Sequence, residues 1–286
     1  MGEGRAVVMV LLAAVMWGTT GTARALAPAD ATPLAVGAVR IAIGGAVLVA
    51  IALARGTLLS RRWPVVAAVL AAAAVAVYQL AFFEGVARAG VAVGTILTIG
   101  SAPVFAGLFA WVALHERPGA RWVIATAIAV VGLALLVVPS GVAVDPRAAL
   151  LPLISGAGYA LYATSSKRLL REGDNVAVAA IAFGGGALLL VPVLLTSDLR
   201  WVTEPRGAAV ALELGLVATV LAYLLFTRAL TLLPVSWGAT LSLAEPVTAS
   251  LLGVLLLGET LSPVQLVGAA FVLFGLLALA TARPAS

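Results

Sequence analysis

VSWGATLSLAEPVTASLLGVLLLGE, residues 235–259, is long enough to cross a bilayer, yet it carries Glu245 near its middle and Pro246 directly after it. A carboxylate at the centre of a span costs roughly 2.5–3.5 kcal/mol on insertion scales. A proline there leaves a backbone carbonyl one turn earlier without its usual partner. Neither suits a span that only fills space. Residues 92–116 repeat the design, with Pro103 in the middle and Glu116 at the end. The chain therefore reads as two copies of one plan, with a binding site expected where the two proline-bearing helices meet.

Composition points the same way. Of 286 residues, 63% are hydrophobic and 10% charged, against about 25% charged in a soluble domain. Apolar runs recur along the whole chain, which predicts an all-α polytopic membrane protein with no soluble domain to host a separate enzyme. The absence of cysteine excludes disulfides, thiolate metal sites and cysteine nucleophiles. There is no cluster of catalytic carboxylates, no metal-ligand spacing and a single histidine, so neither an enzyme nor a metal or other cofactor is expected. No GxxxxGK[ST] loop supplies a nucleotide-driven pump. The formal charge of +5 belongs to loops at the membrane surface rather than to a nucleic-acid footprint. MGEGR, an apolar run and Ala25-Leu26-Ala27 have the outline of a signal peptide, but the run exceeds the usual ~7–15 residues. It also has a counterpart in the second half and is read as the first span.

Ten spans are expected near 6–25, 34–54, 64–84, 91–114, 121–139, 149–169, 176–196, 208–229, 235–257 and 263–281. Pro28 and Pro33, Arg61-Arg62-Trp63-Pro64, Pro118-Gly119, Pro139-Ser140-Gly141, Gly173-Asp174-Asn175, Pro205-Arg206-Gly207 and Ser262-Pro263 mark the breaks. Eleven Lys and Arg, among them Arg61, Arg62, Arg117, Arg121, Lys167 and Arg168, fall on one side, and five (Arg24, Arg88, Arg147, Arg200, Arg206) on the other, with Arg40 inside a span. The positive-inside rule then puts both termini in the cytoplasm of a bacterial-type inner membrane. Trp63, Trp111, Trp122 and Trp201 fall at span ends and are expected as interfacial anchors. His115, beside Glu116 at a span end, reads as a solvated loop residue.

The repeat appears at a shift of 143 residues: Pro103-Val104 lies over Pro246-Val247, Glu116 over Glu259, Gly132-Leu133 over Gly275-Leu276, Phe83 over Phe226 and Arg24 over Lys167. The halves are 1–143 and 144–286. Each has five spans, an odd number, so the second copy enters from the opposite side. That is the inverted-topology repeat of alternating-access carriers. Two five-span repeats, Glu245-Pro246 in the ninth span, Gly258-Glu259 at its end and Trp17-Gly18-Thr19 in the first resemble the EamA family of the drug/metabolite transporter superfamily, and within it the YddG-type aromatic amino-acid exporters. The first repeat departs from the pattern in having Ala102 before Pro103. The resemblance implies a secondary transporter that exports small metabolites, amino acids including aromatic ones foremost, through a central cavity surrounded by spans 1, 3, 4, 6, 8 and 9. Other small solutes, or a channel-like facilitator, are the alternatives.

Glu245 is the first candidate residue, as a contact for a substrate ammonium group or a protonation switch; the alternative is a buried structural carboxylate. Ser242 and Thr248 share its helix face. Pro103 and Pro246 are candidate hinges. Trp17 and Thr20 on span 1, Tyr78 and Phe82 on span 3, Thr98 and Ser101 on span 4, Tyr159 and Tyr162 on span 6, Tyr223 on span 8 and Trp237 on span 9 are candidate cavity-lining groups. For Phe82 and Phe226 ordinary helix packing is the preferred reading. Arg40 and Glu213, each about six residues inside the same face, form a candidate gate pair. The expected partners are a small-molecule substrate and the lipid bilayer.

Overall fold

A computed structural model describes residues 2–89, 91–137 and 149–282. The break at Pro139-Ser140-Gly141, Gly90, Arg147, Arg283 and the division at 143/144 lie outside the described residues. The regular elements described are all helical: α1 (Gly2–Ala25), α2 (Pro33–Ala54), α3 (Val65–Ala89), α4 (Val91–Leu114), α5 (Ala120–Val137), α6 (Leu150–Leu169), α7 (Asn175–Leu189), α8 (Val191–Thr196), α9 (Pro205–Leu212), a π segment (Glu213–Leu221), α10 (Ala222–Leu230), α11 (Val235–Leu241), α12 (Ala244–Leu257) and α13 (Pro263–Ala280), with a short 3-10 turn at Arg200–Thr203. Eight segments are long and apolar enough to cross a membrane, Pro205–Leu230 and Val235–Leu257 each counting as one. With α6 and the α7–α8 pair they make the ten expected spans.

Local chemistry sets the helix starts. The Thr32 side chain accepts from Ala35 N ahead of Pro33, and Asp174 accepts from Val176 N and Ala177 N at 2.8 and 3.0 Å. Ser262 and Gln265 form a reciprocal capping box.

Three spans depart from a continuous α-helix. Span 7 stops at Leu189 and resumes at Val191, because Pro192 has no N–H and its ring excludes the carbonyl one turn back. Span 8 widens to π geometry over Glu213–Leu221. Span 9 breaks at Ser242-Leu243, and the Ser242 carbonyl freed by Pro246 accepts from Glu245 N at 2.9 Å. Pro103, by contrast, lies inside an unbroken α4.

Two of the four expected interfacial tryptophans are buried instead. Trp122, 8% exposed, donates from Nε1 to Ser236 O and Thr240 Oγ1, tying α5 to α11. Trp201 is fully buried against Gly207. Trp111 is exposed and Trp63 half-buried.

Helix packing follows the two-fold exchange of halves. The pairings α5 on α13 and α2 on α7 are each their own mate. The pairing α3 on α6 is answered by α10 on α1, α4 on α6 by α12 on α1, and α3 on α7 by the π segment on α2. The symmetry reaches single atoms. A Cβ on Gly132 would strike the backbone of Gly268 and Val272, and a Cβ on Gly275 would strike Ala125 and Ala129, the same residues moved by 143. Glu116 N–H closes on Ala110 O and Glu259 N–H on Gly253 O, both at 3.1 Å.

At the face rich in Lys and Arg, the basic face, Lys167 Nζ lies 2.6 Å from Glu116 Oε1 and donates to Leu233 O at 2.6 Å. The other Glu116 oxygen accepts from Val235 N at 2.9 Å. Both side chains are about one-fifth exposed. This cluster joins the ends of spans 4 and 6 to the turn between spans 8 and 9.

Candidate substrate site

Spans 1, 3, 6 and 8 converge on an aromatic cluster at the middle of the bundle, completed by one ring from span 7. Trp17 lies 4.9 Å from Tyr223, 5.4 Å from Phe226 and 6.2 Å from Tyr159 between ring centroids. Tyr162 lies 5.5 Å from Tyr223, and Phe183 4.2 Å from Tyr223. Tyr78 joins through Tyr159, at 6.4 Å. The spacing is local in origin. Tyr159 and Tyr162 share a face of α6, as Tyr223 and Phe226 share a face of α10, because residues three apart on a helix are neighbours.

Hydroxyls tie the cluster to its walls. Tyr78 OH and Tyr223 OH are hydrogen-bonded at 3.0 Å, linking spans 3 and 8. Tyr159 OH and Ser242 Oγ are hydrogen-bonded at 3.1 Å, reaching the break in span 9 one turn before Glu245. Glu245 itself is half-buried. Trp17 Nε1, Gln79 Nε2, Tyr162 OH and Glu213 Oε2 are buried without a hydrogen-bond partner. Unpaired polar atoms at this depth are expensive; Thr164 Oγ1, Ser166 Oγ and Trp201 Nε1 are in the same state outside the cluster.

The two ends of this space differ. Toward the basic face it is sealed: Tyr162, Phe226, Thr227, Leu230, Leu233 and Thr240 have no exposed surface. Toward the opposite face Thr19, Thr20, Ser101, Glu213, Glu245 and Thr248 are all half-buried.

The candidates from sequence distribute as follows. Trp17, Tyr78, Tyr159, Tyr162, Tyr223 and Ser242 meet in or on the cluster. Thr20 stands on the half-open side. Trp237 is buried in α11, in the sealed half. Thr98 and Ser101 face span 6: Thr98 Oγ1 donates to Pro152 O at 3.2 Å, and Gly156 approaches the Thr98 carbonyl and the Ser101 hydroxyl. Phe82 pairs with Phe83 at 5.4 Å, apart from the cluster.

Spans 2 and 8 do touch, but Arg40 and Glu213 form no ion pair, so the direct gate contact expected from their equal depth is absent. Arg40 Nε donates to Thr219 Oγ1 at 3.3 Å, and Glu213 Oε1 accepts from Thr19 Oγ1 at 2.5 Å. A neighbouring hydroxyl meets one atom of each charged group, and Glu213 Oε2 stays without a partner. Sequence reasoning missed Phe183, and set Phe226 aside as packing. The three-residue spacing from Tyr223 could have found Phe226, whereas nothing around Phe183 singles it out.

Comparison with known proteins follows the two halves. A family model for the EamA-like transporter family matches residues 4–138 and again 146–281. An uncharacterised transporter of Bacillus subtilis, YwfM, is 46% identical over 276 residues, 96% of this chain and 93% of that one. A probable terminal-alkyne amino-acid exporter of Streptantibioticus cattleyicolor is 30% identical over 236 residues, 80% of this chain and 78% of its own length. The threonine/homoserine exporter RhtA of Escherichia coli is 37% identical over 129 residues, 43% of this chain and 41% of the exporter. A solved crystal structure superposes with a TM-score of 0.82 over 96% of both chains, at 24% identity.

Proposed function

The chain belongs to the EamA-like transporter family, and from that premise we propose that it exports amino acids, aromatic ones included, by alternating access through the space around Glu245. That it is a multi-pass membrane transporter and not an enzyme follows from the family itself. The observation that carries the finer reading is the half-buried carboxylate of Glu245 beside a cluster of seven aromatic rings and the unpaired donor of Trp17. A carboxylate receives an ammonium group, and rings receive an apolar side chain at little entropic cost. The two amino-acid exporters among the relatives support this cargo class.

The half-open face and the sealed basic face fit one end state of an alternating cycle. In this reading the halves 1–143 and 144–286 exchange conformations, Pro246 with the break at Ser242 supplies the hinge in the second half, and Pro103 marks its counterpart in the first. The membrane is the bacterial inner membrane, with both termini in the cytoplasm, because the basic face carries most of the Lys and Arg.

The test is uptake of radiolabelled amino acids into proteoliposomes, with and without a proton gradient. Saturable uptake that is blocked by unlabelled competitor and lost in Glu245→Gln is expected. No uptake of any amino acid by folded protein would remove the amino-acid assignment and turn attention to sugars, nucleobases and cationic drugs.

A further inference from the structure

Arg40 is a buried charge that the amino-acid reading leaves unused. It stands on α2, 8% exposed. Among the described residues its one hydrogen bond is from Nε to Thr219 Oγ1, and no carboxylate lies within ion-pair distance. Thr219 stands four residues before Tyr223 on span 8, which puts Arg40 beside the aromatic cluster. A guanidinium presents a planar fork of donors that matches a carboxylate two-by-two. An unpaired cation held at this depth is costly unless something completes it.

We propose that Arg40 binds the α-carboxylate of the cargo, so that the substrate is a zwitterion held between Arg40 and Glu245. The inference rests on the amino-acid reading and narrows it: a free carboxylate is required, and amines, amides and esters are poor cargo. A zwitterion completes both fixed charges without adding net charge to a desolvated site. The test is binding of radiolabelled L-threonine and L-phenylalanine to the purified full-length protein, competed by the same amino acids or by their carboxamides. On the wild type the carboxamides should need at least about thirtyfold higher concentration. Arg40→Gln should erase that preference, and Arg40→Lys should restore part of it, which separates a lost charge from a lost fold. Equal competition by acid and amide on the wild type would overturn the role of Arg40 and leave the amino-acid reading standing. Binding of no amino acid by the wild type would remove that reading, and this one with it.

A separate observation concerns the ends of the bundle. The closed cluster at the basic face uses Glu116 and Lys167. Moved by the 143-residue shift, the same two positions become Glu259 and Arg24, an acid and a base, at the opposite face. The helix ends match there to the backbone bond. In this structure Glu259 is exposed, Arg24 is half-buried, and no ion pair joins them.

We infer that Arg24 and Glu259 form the mirrored latch of the other end state, closing as Glu116 and Lys167 part. Because the chain has no cysteine, paired Cys substitutions report proximity without background. Intramolecular disulfides in membranes, read by maleimide–polyethylene glycol gel shift, should form in both Glu116→Cys/Lys167→Cys and Arg24→Cys/Glu259→Cys. In the four-Cys chain one bond or the other should form, never both. Adding Glu116→Gln to the Arg24/Glu259 pair should raise its cross-linking about threefold, as loss of one partly exposed ion pair allows. Both bonds in one molecule, or no cross-link at 24/259 even with Glu116→Gln, would overturn the latch exchange.

Discussion

His115 and Gly258 hold the same left-handed turn at the ends of α4 and α12, with φ of 60° and 70°, in the two copies of the repeat. Glycine takes that conformation freely, whereas a side chain there is strained by about 1–2 kcal/mol. Gly258→Ala should therefore lower the apparent Tm in detergent by about 2–4 °C, as a loss of about 1 kcal/mol does in a chain of this size. His115→Gly should raise it by less, because glycine's extra freedom in the unfolded chain returns about 0.5–1 kcal/mol. Equal losses from the two substitutions would show that the turns are not equivalent.

Gly132 and Gly275 make the second mirrored pair, each admitting the backbone of the other peripheral span. A valine at either would overpack the α5–α13 seam and cost about 1–3 kcal/mol. The two single losses should agree, since each glycine meets the shifted counterparts of the other's neighbours. Neither span contributes a ring to the central cluster, so uptake per folded molecule should stay at the wild-type level. A transport defect in well-folded Gly132→Val would place these spans in the working part of the cycle.

The repeat was within reach of the sequence because a Pro or a Glu at one constant shift is rare enough to be noticed against an apolar background, and it carried Gly132 over Gly275 with it; the turn shared by His115 and Gly258 was not, since His115 read as a solvated loop residue. The candidate site was legible to the extent that it used rare residues: Trp17, the four tyrosines and Glu245 stand out in such a composition. What could not be read is which neighbour satisfies which charge. Arg40 and Glu213 looked like partners because both are charged and equally deep. In the structure each is met by a threonine, a residue common throughout the spans and silent in the sequence. The π segment that brings Thr219 to Arg40 has no proline and no distinctive pattern in ELGLVATVL. The burial of Trp122 was equally hidden, since its partners Ser236 and Thr240 are 114 and 118 residues away.

That tryptophan gives a third test. Its Nε1 donates to Ser236 O at 3.0 Å and to Thr240 Oγ1 at 2.9 Å. Thr240 keeps a hydrogen bond to Thr126, at 2.8 Å, when the indole is removed. Trp122→Phe should thus cost about 1 kcal/mol, the net value of one buried hydrogen bond, rather than the larger cost of orphaned groups. An interfacial anchor replaced by phenylalanine would lose next to nothing, so the SDS-unfolding midpoint separates the two roles.

The Tyr78–Tyr223 hydrogen bond joins spans 3 and 8, equivalent in the two halves, across the cluster. Both tyrosines are buried, so removing one hydroxyl strands the other. Tyr78→Phe and Tyr223→Phe should each cost about 1–3 kcal/mol, while the double substitution, which removes donor and acceptor together, should cost little more than one of them. The coupling energy of that cycle is then about 1–2 kcal/mol, measured as unfolding free energies in mixed detergent. Costs that simply add would mean that the two hydroxyls do not depend on each other, and that the halves meet over the cluster through ring packing alone.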